Sequence, residues 1–163
     1  MNRLICNKQL AFFEENTRSG EVHELHPICR NEYWEVYASF SAEGIRYAIV
    51  GVNGERRVYK EYGGLSREII YYEPAGRDLM CHYVASGAWR LLSVRGDKLC
   101  DITAKLANCG NPMKLFVTYM EFKSQVLWLH ARASRYYEED FYFKQTENGY
   151  EKIDEAEAKA LFD

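Results

Sequence analysis

Gly44 to Tyr62, GIRYAIVGVNGERRVYKEY, constrains the fold more than any other stretch of this 163-residue chain. Two β-rich segments flank Asn53-Gly54. Asn-Gly is the preferred pair for a type I′ hairpin turn, because both central residues need positive φ. A two-residue turn there predicts Val52 opposite Glu55, Val50 opposite Arg57, Ala48 opposite Tyr59 and Arg46 opposite Glu61. Ile45, Tyr47, Ile49, Val58 and Tyr62 then share the core face. Arg46 and Glu61 form a cross-strand ion pair on the other.

The segments around this hairpin extend the pattern. Glu32 to Phe40 alternates, with Trp34, Val36, Ala38 and Phe40 on one face and Tyr33, Glu35, Tyr37 and Ser39 on the other. Residues 32–62 therefore read as a three-stranded meander. Arg3 to Phe13 reads as a first strand and Glu14 to Pro27 as a loop. Arg67 to Glu73 reads as a strand stopped by Pro74. Asp78 to Ser86 reads as a short helix between an Asp78 cap and Gly87. Ala88–Val94 and Lys98–Ile102 flank Arg95-Gly96-Asp97, a glycine-centred turn. Thr103 to Cys109 reads as a helix ended by Gly110 and Pro112.

Beyond it, Met113–Lys123, Val126–Arg132 and Tyr136–Gln145 read as strands, and Asn148-Gly149 as a second turn of the Asn-Gly type. As a strand, Val126–Arg132 turns Leu127, Leu129 and Ala131 inward and Val126, Trp128, His130 and Arg132 outward. As a helix it would be capped by Ser124. The strand is preferred over the helix. Asp154 to Phe162 is the best helix signal, with Asp154 and Glu157 in capping-box relation. Ala156, Ala160, Leu161 and Phe162 are expected to pack it on the sheet. The expected fold is α+β: a mainly antiparallel twisted sheet or partly closed barrel built from β-hairpins, with two or three short helices including a C-terminal one. No repeat, linker or composition break divides it, so residues 1–163 read as a single domain.

Charge and cysteine usage narrow the function. The net charge is −3, which gives no basis for generic duplex nucleic-acid binding. Residues 138–163 hold nine acids against three lysines, a solvated face or a surface for a basic partner. Five cysteines, an odd number with no CxxC, read as reduced thiols of a cytoplasmic protein. No stretch approaches the ~20 apolar residues of a membrane span, and the start is too polar for a signal peptide.

Three constellations are candidate sites. His23, His26 and Cys29 could ligate zinc, with Cys6, Cys81 or His82 as a fourth ligand. Their spacing fits no standard finger, and Pro27 breaks a helix through His26, so a solvated loop with one buried cysteine and no cofactor is the expectation. Trp128, His130 and Arg132 on one strand face could hold a nucleotide or another small phosphorylated ligand. Tyr33, Tyr37, Glu138, Glu139 and Asp140 are candidate contacts for another protein, on a Tyr-rich face or the acidic end. Glu138 and Asp140 would share a strand face. Arg56, Arg57 and Lys60 read as a solvated positive edge.

Cys81-His82 lacks a local base, since neighbours on a strand point to opposite faces. No Walker loop, GxGxxG, HExxH or GxSxG occurs. The leading expectation is a small non-catalytic protein-binding regulator or inhibitor, of the kind phages and mobile elements carry. A nucleotide-like ligand binder and an enzyme with a His/Cys site are the alternatives.

Overall fold

The computed structural model describes residues 26–41, 43–53, 56–62, 66–96, 98–108, 114–134 and 136–162. The side chains of 40, 41, 53, 56–62 and 134 are not among them. The expected first strand, His23 and Cys6 therefore lie outside the described residues, as do the side chains of Arg56, Arg57, Val58, Lys60 and Tyr62.

Among the described residues, twelve strands form three open, antiparallel, four-stranded sheets, each a meander of consecutive strands. The first contains β1 (His26–Arg30), β2 (Trp34–Ser41), β3 (Gly44–Asn53) and β4 (Arg56–Tyr62). The second contains β5 (Ile70–Ala75), β6 (Asp78–Tyr83), β7 (Trp89–Arg95) and β8 (Lys98–Asp101). The third contains β9 (Phe116–Lys123), β10 (Val126–Ser134), β11 (Tyr137–Thr146) and β12 (Gly149–Ile153). Two helices are seen among the described residues, α1 (Thr103–Ala107) and the C-terminal α2 (Glu155–Phe162). The expected α+β class and antiparallel meanders are present. The sheets do not close into a barrel.

The second sheet is the middle layer, because its strands feed two cores. Leu79 and Cys81 of β6 pack with Trp34, Val36, Ala38, Tyr47 and Ile49 of the first sheet. Met80, between them, packs with Leu91 of β7 and with Met120, Leu127, Leu129, Phe141 and Phe143 of the third. A strand buried on both faces has no polar alternate positions. That is why Asp78–Ser86 reads as a helix in sequence yet is largely β6. Pro74 does not stop β5 either: it pairs with Leu79, and it is tolerated because β5 is an edge strand.

Both Asn-Gly steps are displaced from the centre of their turns. Asn53 pairs with Arg56, and after a bulge Gly51 pairs with Tyr59 and Ile49 with Glu61. The predicted register, and with it the Arg46–Glu61 pair, is replaced. Likewise Thr146 pairs with Gly149 across Glu147-Asn148. Among the described residues, two successive non-glycine positive-φ residues occur at Ser124-Gln125, at φ 53° and 66°, between β9 and β10, where Lys123 pairs with Val126. The stretch that ends in Pro27 also continues into a strand, since His26 opens β1.

One turn of the middle sheet is clasped by both outer sheets. From the first sheet's side, Asn31 Nδ2 donates to Gly76 O at 2.9 Å and Trp34 Nε1 to Arg77 O at 2.8 Å. Asn31 Oδ1 also accepts from the backbone of Tyr33 and Trp34. From the third sheet, Gln145 Nε2 donates to Ala75 O and its Oε1 accepts from Arg77 N. Gln145 Nε2 donates to Tyr150 Oη as well, and Tyr150 Oη donates to Asp78 Oδ2 at 2.5 Å. Burial, then the Asp78 charge and hydrogen bond, hold the Tyr150 phenol far above its ordinary range. Polar groups buried this deeply are tolerated because they satisfy one another.

The C-terminal helix starts as its sequence dictates, with Glu157 N donating to Asp154 Oδ1 at 2.8 Å. Its packing differs from expectation. Ala158 is buried against Val126 and Ile153, with Phe162 and Tyr142 alongside. Ala156, Ala160 and Leu161 are exposed. The helix thus covers Val126, a fully buried outward position of β10.

Candidate functional site

The outer face of the third sheet is built by strand register. β10 runs between β9 and β11, and its outward residues alternate with the core residues Leu127, Leu129 and Ala131. Trp128 pairs with Glu121 on one side and Tyr142 on the other. His130 pairs with Tyr119 and Asp140, and Arg132 with Glu138. Trp128, His130 and Arg132 therefore do share one face, with Glu138 and Asp140 beside them.

The polar groups of Trp128, His130, Arg132, Glu138 and Asp140 contact one another. Trp128 Nε1 donates to Asp140 Oδ1 at 2.9 Å, and His130 Nδ1 lies 2.7 Å from the same oxygen. His130 Nε2 is 3.6 Å from Glu138 Oε2, and Arg132 Nη2 is 3.2 Å from Glu138 Oε1. The imidazole is thus held between two carboxylates. Partial desolvation works to raise the Asp140 carboxyl. The hydrogen bonds from His130 and Trp128, with the His130 charge, outweigh it and hold the group below its ordinary 3.8.

A depressed folded value means this contact supports the fold above the ordinary carboxylate range and weakens as pH falls through the folded value. The Asp140 side chain is 43% exposed, so solvent screens most of that energy. A carboxyl-detected NMR titration is expected to place the Asp140 midpoint below 3.8, and His130→Ala to move it upward. An unchanged midpoint in that variant would show that His130 does not hold the carboxylate.

A row of rings continues from this face across the edge of β9 onto the middle sheet. Trp128 meets Tyr119 edge-on at 5.1 Å, and Tyr119 meets Trp89 of β7 edge-on at 5.5 Å. Trp89 stacks on His82 of β6 at 4.0 Å, and Tyr71 of β5 follows at 6.4 Å. On the middle sheet the row is set by pairing, since Tyr71, His82 and Trp89 are successive cross-strand partners. Tyr71 is 61% and Tyr119 41% exposed, and Phe116, at the start of β9, is 59% exposed. Trp89, His82 and Trp128 are half-buried.

Glu121 accepts from the Tyr119 phenol at 3.4 Å. Desolvation, then Glu121 and Glu73, raise that phenol above its ordinary value. Tyr142 is likewise raised by desolvation, then by Asp140 and Glu155.

The other predicted residues do not join this site. Tyr37 is 2% exposed and offers no surface to a partner. Tyr33 is half-buried near the clasped turn. Glu139 points away from Glu138 and Asp140, and its carboxylate accepts from Tyr137 Oη at 2.8 Å. Of the expected zinc ligands, His23 lies outside the described residues and His26 is exposed on β1. The Cys29 thiol packs at the first core and is pushed up to about 12 by burial, then by Glu73. No group of three or more metal-ligating side chains occurs among the described residues.

Cys81 is buried, its thiol raised far above its ordinary value by desolvation and then by Cys29. It faces the core opposite to His82, so it cannot serve as a thiolate nucleophile for that histidine.

Several depressions flank the sheets. One, about 710 Å³, lies at the clasped turn. Its Arg77 guanidinium is already spent on the carbonyls of Thr146 and Glu147. A second, about 440 Å³, adjoins it between Trp34, Asp78 and Tyr150. A third, about 520 Å³, runs from His130 and Asp140 to Lys152 and Glu155 and is rich in carboxylates.

Tyr71, Trp89, Tyr119 and Glu121 were not singled out in the sequence, and His82 was weighed only as a zinc ligand or as a neighbour of Cys81. A hairpin reading of residues 78–95 would have set His82 opposite Trp89, but the unbroken apolar run of β6 hides that hairpin. No protein-family model, characterised protein or solved structure matches this chain.

Proposed function

We propose that this chain is a non-catalytic binding protein whose partner is another protein, acting as a regulator or inhibitor through the ring row from Tyr71 to Trp128. The row itself carries the reading. It combines exposed Tyr side chains with half-buried Trp and a polar border, which is the composition of interface centres and their rims. Trp128, Tyr119 and Trp89 meet at steep angles while Trp89 and His82 lie nearly parallel, an uneven relief that suits the surface of a protein better than a single flat base or sugar. A cytoplasmic setting fits the free thiols of Cys29, Cys81 and Cys100. Among the described residues, no helix is long and apolar enough to cross a membrane.

The nucleotide reading rests on the shared face of Trp128, His130 and Arg132. It is weaker, because a phosphate there would sit beside Glu138 and Asp140 and compete with Glu138 for the Arg132 guanidinium. An enzyme built on Cys81 would need a thiolate in a buried, anion-hostile position.

The test is capture of the natural partner from the producing cell, followed by affinity measurement with Tyr119→Ala and Trp128→Ala. Each truncation at an interface centre is expected to cost about 2 kcal/mol or more, roughly thirtyfold in Kd. Full affinity in both variants, with the fold intact, would move the contact elsewhere.

A further inference from the structure

We propose that the partner segment seated on this row is cationic: a stretch of polypeptide that lays arginine or lysine side chains over Trp89, Tyr119 and Trp128 and against the carboxylates that border them. The inference rests on the protein-binding reading above and adds the chemistry of the partner.

Charge complementarity carries it. Glu121 sits beside Trp128 in register and touches the Tyr119 phenol. Asp140 and Glu138 lie across β10 on the same face. Glu73 acts on Tyr119 from the middle sheet, so that phenol senses carboxylates from two strands. Tyr142 senses Asp140 and Glu155 in the same sense. Of the cations nearby, Arg132 is paired with Glu138, Lys123 lies over the Phe162 ring and Lys152 over the Phe141 ring, while Lys144 stands farther along β11, beyond Tyr142, and Lys114 lies over the Phe116 ring. The Trp89–Tyr119–Trp128 stretch is therefore an aromatic surface bordered by carboxylates.

Such a surface attracts guanidinium and ammonium groups twice over, through ring quadrupoles and through carboxylates. It repels an acidic partner. A second copy of the chain presenting the same face would bring carboxylate against carboxylate, which disfavours a symmetric dimer through this face.

The experiment uses the full chain and three nonapeptides, alternating Arg-Leu, Gln-Leu and Glu-Leu, added at low salt. The readout is the indole N–H resonances of the three tryptophans. Trp34 is buried and bonded to Arg77 O, so its resonance reports an intact fold. The Arg-Leu peptide is expected to shift Trp89 and Trp128 and leave Trp34 in place. The Gln-Leu and Glu-Leu peptides are expected to bind at least tenfold more weakly. Glu121→Gln with Glu138→Gln is expected to weaken the Arg-Leu peptide about tenfold, and 0.5 M salt to do the same.

Equal binding of the Arg-Leu and Gln-Leu peptides would overturn the cationic partner while leaving the row as a protein contact. No shift at Trp89 or Trp128 with any peptide would remove the row as a polypeptide contact and take the broader reading with it. Concentration-dependent shifts at these two residues without peptide would assign the face to self-association and overturn the proposal as well.

Discussion

Gly76→Ala is expected to lower stability by about 3 kcal/mol, more than most single-methyl additions. Gly76 has φ +60°, a conformation that costs an L-residue about 1 kcal/mol. Its added Cβ would stand 2.0 Å from Gln145 Oε1. Gln145 has nowhere to retreat without giving up Arg77 N, Ala75 O and Tyr150 Oη, all satisfied by that one amide. Leaving a buried partner unpaired costs about 1–3 kcal/mol. For a domain of this size the melting temperature is expected to fall by about 6–12 °C. Thermal unfolding followed by circular dichroism measures it. A drop of less than ~2 °C would mean the turn can move off Gln145 freely.

Leu79→Ala and Leu91→Ala are the second test, and their comparison matters more than either value. Both side chains are fully buried, and each truncation is expected to cost about 2–5 kcal/mol. They empty different cores: Leu79 faces the first sheet and Leu91 the third. Because the two cores share the middle sheet, both variants are expected to shift one common urea transition, with the slope unchanged. Two separate transitions, one moved by Leu79→Ala and the other by Leu91→Ala, would show that the outer sheets unfold independently.

The sequence was most legible where apolar residues alternate with polar or amphipathic ones. Trp34, Val36 and Ala38 alternate with Glu35, Tyr37 and Ser39, and β2 stands where the pattern puts it although Tyr37 and Ser39 are buried as well. β10 is similar: Leu127, Leu129 and Ala131 against Trp128, His130 and Arg132 predicted both the strand and its outward face. Legibility failed where successive residues on both faces are apolar. Leu79, Met80 and Cys81 look like a helix segment because nothing in a local window says that two cores compete for them. Turn chemistry misled in a different way. Asn-Gly marks a place where positive φ is cheap, but cross-strand packing chose the register. Two successive positive φ values occur at Ser124-Gln125, which has no such signature.

The candidate site follows the same division. Trp128, Glu138 and Asp140 lie within one meander, and strand alternation brought them together. Tyr71, His82 and Trp89 belong to another meander. Their approach to Tyr119 depends on how the third sheet sits on the middle one, which is tertiary information.

The order of the strands has a kinetic consequence. Each described strand of a sheet pairs with its neighbour in sequence, so pairing needs only short loop closures, and their entropic cost is small. Sheet formation is therefore expected to be quick for a β-rich chain, and stacking of the three sheets to be the slower event. In that interval β6 would carry uncovered apolar side chains on both faces, Leu79 and Cys81 on one and Met80 on the other. Such a species is expected to be more exposed to aggregation than the native surface.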